Sequence, residues 1–177
     1  MKNNILFIVI ITVLFCSCVT PVIYPDEPVI LNPKLVEEDY EINGDFIKGA
    51  ILYFEFQDGD GDIGLNADDI YPPFDESSIY HYNLFIDYYE KQNGEYVKMD
   101  WQLKNNGDTI PFSLNARIPR LSKYLKEPID GEIKLNILEY YPNVSKSDTM
   151  KLVFYIVDRK LNKSNVLEAE MIRGFEI

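Results

Sequence analysis

Ala50-Ile51-Leu52-Tyr53-Phe54-Glu55-Phe56-Gln57-Asp58 is the stretch on which the fold turns. Ala50, Leu52, Phe54 and Phe56 alternate with Ile51, Tyr53, Glu55 and Gln57, which is the period of a half-buried β-strand whose successive side chains point to opposite faces. Aromatic and β-branched side chains pack well on such a pleated surface. Outward from this run the pattern repeats. Tyr80 to Glu90 carries Tyr82, Leu84, Ile86 and Tyr88 on one face. Lys91-Gln92-Asn93-Gly94 then supplies the Asn-Gly pair of a two-residue hairpin turn, and Tyr96 to Trp101 returns. Further strands are expected at Thr109–Leu114, Glu132–Tyr141, Thr149–Asp158 and Val166–Ile177. Asn106-Gly107-Asp108 and Asp130-Gly131 read as turns, and Leu121–Glu127 as one or two helical turns. No segment sustains a 3.6-residue period over three turns, so the expectation is an all-β, two-layer sandwich of about seven strands.

Composition agrees with one folded domain. The 177 residues are 46% hydrophobic and 26% charged, enough apolar material for an independent core. With 17 Lys and Arg against 29 Asp and Glu the formal charge is −12, and no basic run offsets it locally. Such a chain repels phosphate backbones, which excludes nucleic acid as a natural partner. The single histidine, His81, lies in an expected strand beside Tyr80 and Tyr82, and no nucleophile motif accompanies it, so Ser-His-Asp and zinc-hydrolase chemistry both lack parts.

The N-terminus has the anatomy of a secretory signal: Lys2, then the apolar run Ile5–Phe15, then small residues and cysteine at Ser17-Cys18. Eleven residues are about half of what a membrane-spanning helix needs. Leu14-Phe15-Cys16-Ser17-Cys18 resembles a bacterial lipobox, with small Ser17 before Cys18 and bulky Phe15 before Cys16. The resemblance implies that residues 1–17 are a lipoprotein signal peptide and that Cys18 carries the acyl chains anchoring the protein to a membrane. Several chains on one cysteine hold firmly, at about 0.8 kcal/mol for each buried CH₂. Cleavage there leaves no free thiol and 16 basic against 29 acidic residues. Prolines at 21, 25, 28 and 33 suggest that residues 18–36 form an extended tether of about 40 Å, with the domain proper at 37–177. An alternative reading gives Val29, Ile30 and Leu31 to a first edge strand.

The loop with chemistry follows the deciding strand. Asp58-Gly59-Asp60-Gly61-Asp62-Ile63-Gly64 places three carboxylates at alternate positions with glycines between them. A hard cation such as Ca²⁺ takes six to eight oxygens, and aspartates at positions 1, 3 and 5 of a tight loop supply the first of these. The loop resembles an EF-hand loop, which implies Asp69 at position 12 as a further ligand, although Ile63 stands where that loop needs glycine and a strand leads in. It is also similar to the looser Asp-x-Asp-x-Asp loops of calcium sites outside EF-hands. The competing reading is that the Asp-Gly pairs are turn formers whose carboxylates cap nearby N–H groups. No Lys or Arg lies between Lys48 and Lys91 to neutralise the three acids, which argues for a cation with a structural role.

Tyr155-Ile156-Val157-Asp158-Arg159-Lys160-Leu161-Asn162-Lys163-Ser164-Asn165 resembles the last hairpin of bacterial immunoglobulin-like domains, with Leu161 where those turns carry glycine. The sandwich is accordingly expected to be immunoglobulin-like. Asp158 and Asn162 are expected to bond within the turn. A sharper expectation is that Asp158 reaches the Asp58 loop and joins the same cation.

Together the lipobox, the proline tether, the DGDGDIG loop and the terminal segment resemble small lipoproteins of the Bacteroidota. The resemblance implies an outer-membrane, lipid-anchored protein of a Gram-negative cell envelope and carries no activity. It also gives meaning to Asp108-Thr109-Ile110 and Asp148-Thr149-Met150, which are similar to O-glycosylation motifs of those bacteria and make Thr109 and Thr149 candidate sites. Tyr88, Tyr89, Tyr96 and Trp101 could stack on a sugar or meet an envelope protein, or else be core residues of a tyrosine-rich sandwich. The expected function is binding or assembly at the envelope. The alternative is a carboxylate-dependent, glycosidase-like hydrolase of envelope or extracellular polymers.

Overall fold

A computed structural model describes residues 23–42, 44–103, 107–121, 127–137 and 149–172. The expected signal peptide, Cys18, the turn residue Asn106, the helical turns over 122–126 and the outer ends of two strands (138–141 and 173–177) lie outside the described residues.

The described chain is all-β. Its strands are β1 Val29–Ile42, β2 Asp45–Asp58, β3 Leu84–Gln92, β4 Glu95–Lys98, β5 Trp101–Leu103, β6 Thr109–Pro111, β7 Ile129–Ile137, β8 Thr149–Ile156 and β9 Leu167–Ile172. One sheet has the order β1-β2-β7 and the other β4-β3-β8-β9, while β5 and β6 form a separate ribbon. Every strand pairing is antiparallel. The three-stranded and four-stranded sheets pack face to face as a two-layer β-sandwich.

The deciding run behaves as its period requires. Ala50, Leu52 and Phe54 are fully buried and Phe56 nearly so, facing Leu152, Phe154 and Ile156 of β8 across the two layers. The Phe54 and Phe154 rings meet with centroids 5.1 Å apart and tie the sheets together. Each fully buried large apolar side chain contributes about 1.5–3 kcal/mol. An exposed ion pair such as Lys98–Asp87 contributes about 1 kcal/mol at most. The core, not the surface charge, holds the fold.

Three expectations change. Residues 29–36, expected within the tether, instead belong to β1 and pair with β2, as the alternative edge-strand reading of Val29–Leu31 has it. The register shifts between Leu31 and Lys34, where Asn32 takes φ +50°, and this irregularity admits Pro33 on an edge strand. Asp130-Gly131 is not a turn but lies inside β7, where Gly131 pairs opposite Phe56 and leaves room for its ring. Finally, His81 and Tyr82 precede β3 instead of belonging to it: Ile79–His81 is a 3₁₀ turn whose N-cap Ser78 accepts a hydrogen bond from the Tyr80 N–H at 3.1 Å. Tyr82 is therefore 40% exposed while Leu84, Ile86 and Tyr88 are buried.

Candidate metal centre

β2 ends at Asp58, and the chain turns at once through Gly61 at φ +66° and Gly64 at φ +96°. These are left-handed conformations that favour glycine, and neighbouring backbone, at Glu127 for Gly61 and Pro119 for Gly64, leaves no space for a Cβ. The tight turn folds Asp62 back on Asp58, whose Oδ2 accepts from the N–H groups of Asp62 at 2.7 Å and Ile63 at 3.3 Å. The turn-capping reading is thus correct for one oxygen of Asp58.

The other oxygens tell a different story. Asp58, Asp62 and Asp158 each bring a carboxylate oxygen to within 4.8 Å of the others, and all three residues are buried, at 0%, 6% and 1% exposure. Oδ1 of Asp58, Asp60 and Asp62 is buried with no hydrogen-bond partner. Burial, reinforced by the neighbouring carboxylates, pushes the Asp58 and Asp62 carboxyls up to about 6, even though the Asp62 and Ile63 N–H groups pull Asp58 the other way. Asp158 is also raised, chiefly by burial, despite its bonds to Asn162.

Asp158 arrives from β8 through the turn that the sequence marks out. Its Oδ1 accepts from the Asn162 N–H at 2.7 Å, its Oδ2 from Asn162 Nδ2 at 2.8 Å, and its own N–H donates to the Asn162 carbonyl at 3.1 Å. Leu161 closes the turn at φ +68°, a left-handed conformation that favours glycine. Asp158 braces its own turn, as expected, and its carboxylate also reaches the Asp58 loop.

Asp69 does not join the cluster, which corrects the EF-hand register. Its carboxylate pairs with both guanidinium nitrogens of Arg159, with Nη2 donating to Oδ1 at 2.9 Å, and it also accepts from the Asn66 N–H at 2.6 Å. These bonds hold the Asp69 carboxyl below the usual carboxylate range, with the Arg159 bond the largest cause. The third carboxylate of the buried cluster comes instead from Asp158, a residue of another turn. Asp60 turns its Oδ2 to Lys160.

Cations absent from the local sequence therefore come to the loop from elsewhere, yet among the described residues none forms an ion pair with Asp58, Asp62 or Asp158. Arg117 donates to the carbonyls of Asn66 at 3.0 Å and Asp69 at 2.7 Å, and Arg120 to those of Asp62 at 2.9 Å and Gly61 at 3.3 Å. They pin the loop backbone. Three buried acids facing one another are suited to a metal ion, which can take the oxygens left without donors.

The aromatic quartet is dispersed. Tyr88 is a core residue at 2% exposure, with its hydroxyl on Glu90 Oε1 at 2.7 Å, so it is no ligand contact. Tyr89 and Tyr96 lie against Lys151, whose Nζ stands 5.4 and 4.6 Å from their ring centroids and which also pairs with Glu168 at 3.2 Å. Trp101 is 38% exposed, on the separate β5–β6 ribbon. Sequence reasoning passed over Phe85 and Tyr155, cross-strand partners stacked at 5.0 Å with Lys163 over Tyr155 at 3.6 Å; their signal was the position alternate to buried Leu84 and Ile156. Of the two candidate glycosylation sites, Thr109 is exposed at the start of β6, whereas Thr149 is buried in β8 opposite Ile172 and closed to a transferase in the folded domain. Compared with protein-family models, curated proteins and solved structures, the chain finds no match.

Proposed function

We propose that the chain is a cell-envelope lipoprotein, anchored in a Gram-negative outer membrane through acylated Cys18, whose β-sandwich serves in binding or assembly with an envelope protein or glycan. In this reading one Ca²⁺ stabilises the domain through Asp58, Asp60, Asp62 and Asp158. The observation that carries the metal assignment is the set of buried Oδ1 atoms without donors in a cluster of facing carboxylates. Oxygen-only donors in an acidic loop suit a hard cation, and Ca²⁺ tolerates the irregular geometry that Mg²⁺ does not. The same cluster is poorly suited to glycoside hydrolysis. One oxygen from each of Asp58, Asp62 and Asp158 faces the others and all three residues are buried, whereas an acid/base pair needs room for a sugar ring between its members.

Thermal unfolding tests the ion. Ca²⁺ at about a thousand times its dissociation constant stabilises by roughly 4 kcal/mol, a rise in Tm on the order of 10 °C for a domain of this size. Chelator and Asp60→Ala should each remove the rise, and a Tm indifferent to Ca²⁺ would sink the assignment. Cys18→Ser should release the protein from membranes into the soluble fraction. Crosslinking of the native lipoprotein in membranes, followed by identification of what co-purifies, reads out the partner.

A further inference from the structure

The N-terminal segment is stitched to the same two loops that supply the carboxylates. Gly59, between Asp58 and Asp60, donates its N–H to the Pro25 carbonyl at 2.7 Å. The carbonyl oxygens of Tyr24 and Pro25 press so closely on the Gly59 Cα that a Cβ there would lie well inside van der Waals contact. The Tyr24 hydroxyl donates to Asp130 Oδ1 at 3.1 Å on the neighbouring β7. A few residues on, Asn165 clamps Ile30 from both sides, accepting from its N–H at 2.8 Å and donating to its carbonyl at 2.9 Å. Asn165 belongs to the segment that follows the Asp158 turn.

Resting on the metal reading above, we propose that cation binding at Asp58, Asp62 and Asp158 and docking of Tyr24–Pro28 onto Gly59 are thermodynamically coupled, so that the ion locks the anchor-proximal chain onto the domain. The Gly59 N–H meets Pro25 only while the Asp58–Asp62 turn is closed. Without an ion the facing carboxylates repel one another and favour opening of that turn, which swings Gly59 away; an ion among them closes it. Linkage makes the effect reciprocal: whatever factor the ion adds to docking, docking adds to ion affinity. The consequence is spatial. With Tyr24 docked, the six residue steps from Cys18 allow at most about 20 Å between anchor and metal loop. With the segment free back to the start of β1 at Val29, the same chain allows about 35 Å. The ion would set how far the domain stands from its membrane.

The test uses the full chain in detergent micelles with Ca²⁺ as the probe. Hydrogen exchange of the Gly59 amide and of peptides covering residues 23–30 should slow at least tenfold on adding Ca²⁺. Calorimetry should show Gly59→Ala still binding one ion but about tenfold more weakly. Should that variant fail to fold, the double variant Tyr24→Ala, Pro25→Gly, which changes only the docked segment, should weaken Ca²⁺ binding severalfold. Unchanged exchange together with unchanged affinity in a folded variant overturns the coupling and leaves the metal site standing. No Ca²⁺ binding by the wild-type chain overturns both.

Discussion

Asp58 and Asp69 stand at the two ends of one loop, and each meets one of two adjacent residues in the 158–162 turn, yet their surroundings are opposite. Asp69 faces Arg159 in a forked ion pair braced by the Asn66 N–H. Asp58 faces Asp158, with one oxygen capped by backbone and the other buried without a donor. A single step along the turn, from Asp158 to Arg159, separates a repulsive contact from an attractive one. The lesson is that one segment pair carries both its own counter-ion and a place for an external one. The Arg159 pair holds the loop against the turn at one end, so the facing carboxylates of Asp58 and Asp158 stay in proximity at the other.

Substitutions that remove charge and keep shape should separate the two ends by sign. Asp69→Asn leaves Arg159 without its partner and should destabilise the metal-free protein by about 2 kcal/mol, read as a lower midpoint in urea unfolding. Asp58→Asn keeps an acceptor for the Asp62 N–H while removing one of the facing charges, and should stabilise the metal-free protein by about 1 kcal/mol. It should also lose the gain from Ca²⁺. Equal destabilisation by both variants would break the comparison.

Acid sharpens it further. Asp58 and Asp62 have carboxyls raised to about 6 in the folded chain, above the unfolded value, so their contribution to stability is fully present below the unfolded value and is lost as pH rises through about 6. In chelator, unfolding free energy should therefore increase as pH falls from 7 towards 5. Asp69 has the opposite sign: its carboxyl is lowered, so its contribution is present above the ordinary carboxylate value and is lost as pH falls through the lower folded value. Saturating Ca²⁺ should abolish or reverse the rise between pH 7 and 5, because protons then compete with the ion. A metal-free protein that loses stability steadily over that range would contradict the raised cluster. The smallest effect is expected at Leu161, whose left-handed backbone costs a non-glycine residue about 1 kcal/mol. Leu161→Gly should recover up to that amount and slightly raise the Tm with or without metal.

Much of this was legible along the chain. The alternation of Ala50 to Gln57 assigned both the strand and its buried face, and Asn93-Gly94 marked the hairpin, because strand period and turn chemistry are local properties. Asp130-Gly131 misled for the same reason: the pair is a good turn former locally, but its glycine answers to Phe56 on another strand. The prolines suggested a tether, whereas the alternative edge strand at Val29–Leu31 is the one that forms and runs on past Pro33, since a bulge on a sheet edge removes the penalty that proline carries in a central strand. Of the two readings open to Tyr88, ligand contact or core, burial of the face it shares with Leu84 and Ile86 decides for the core.

By itself, then, the sequence determined an all-β chain and a loop whose alternating aspartates and glycines must crowd carboxylates together. It also supplied the lipobox-like segment behind the proposed anchoring. Tertiary structure alone decided which acids meet. Asp58 and Asp158 are a hundred residues apart, and they come together only because β2 and β8 pack face to face and deliver their ends to one edge of the sandwich. The same packing diverts Asp69 to Arg159 and brings Tyr24 and Pro25 back over Gly59. Spacing along a strand is set by covalent geometry, whereas the partner of a carboxylate at a loop is set by which hydrophobic faces must be buried together.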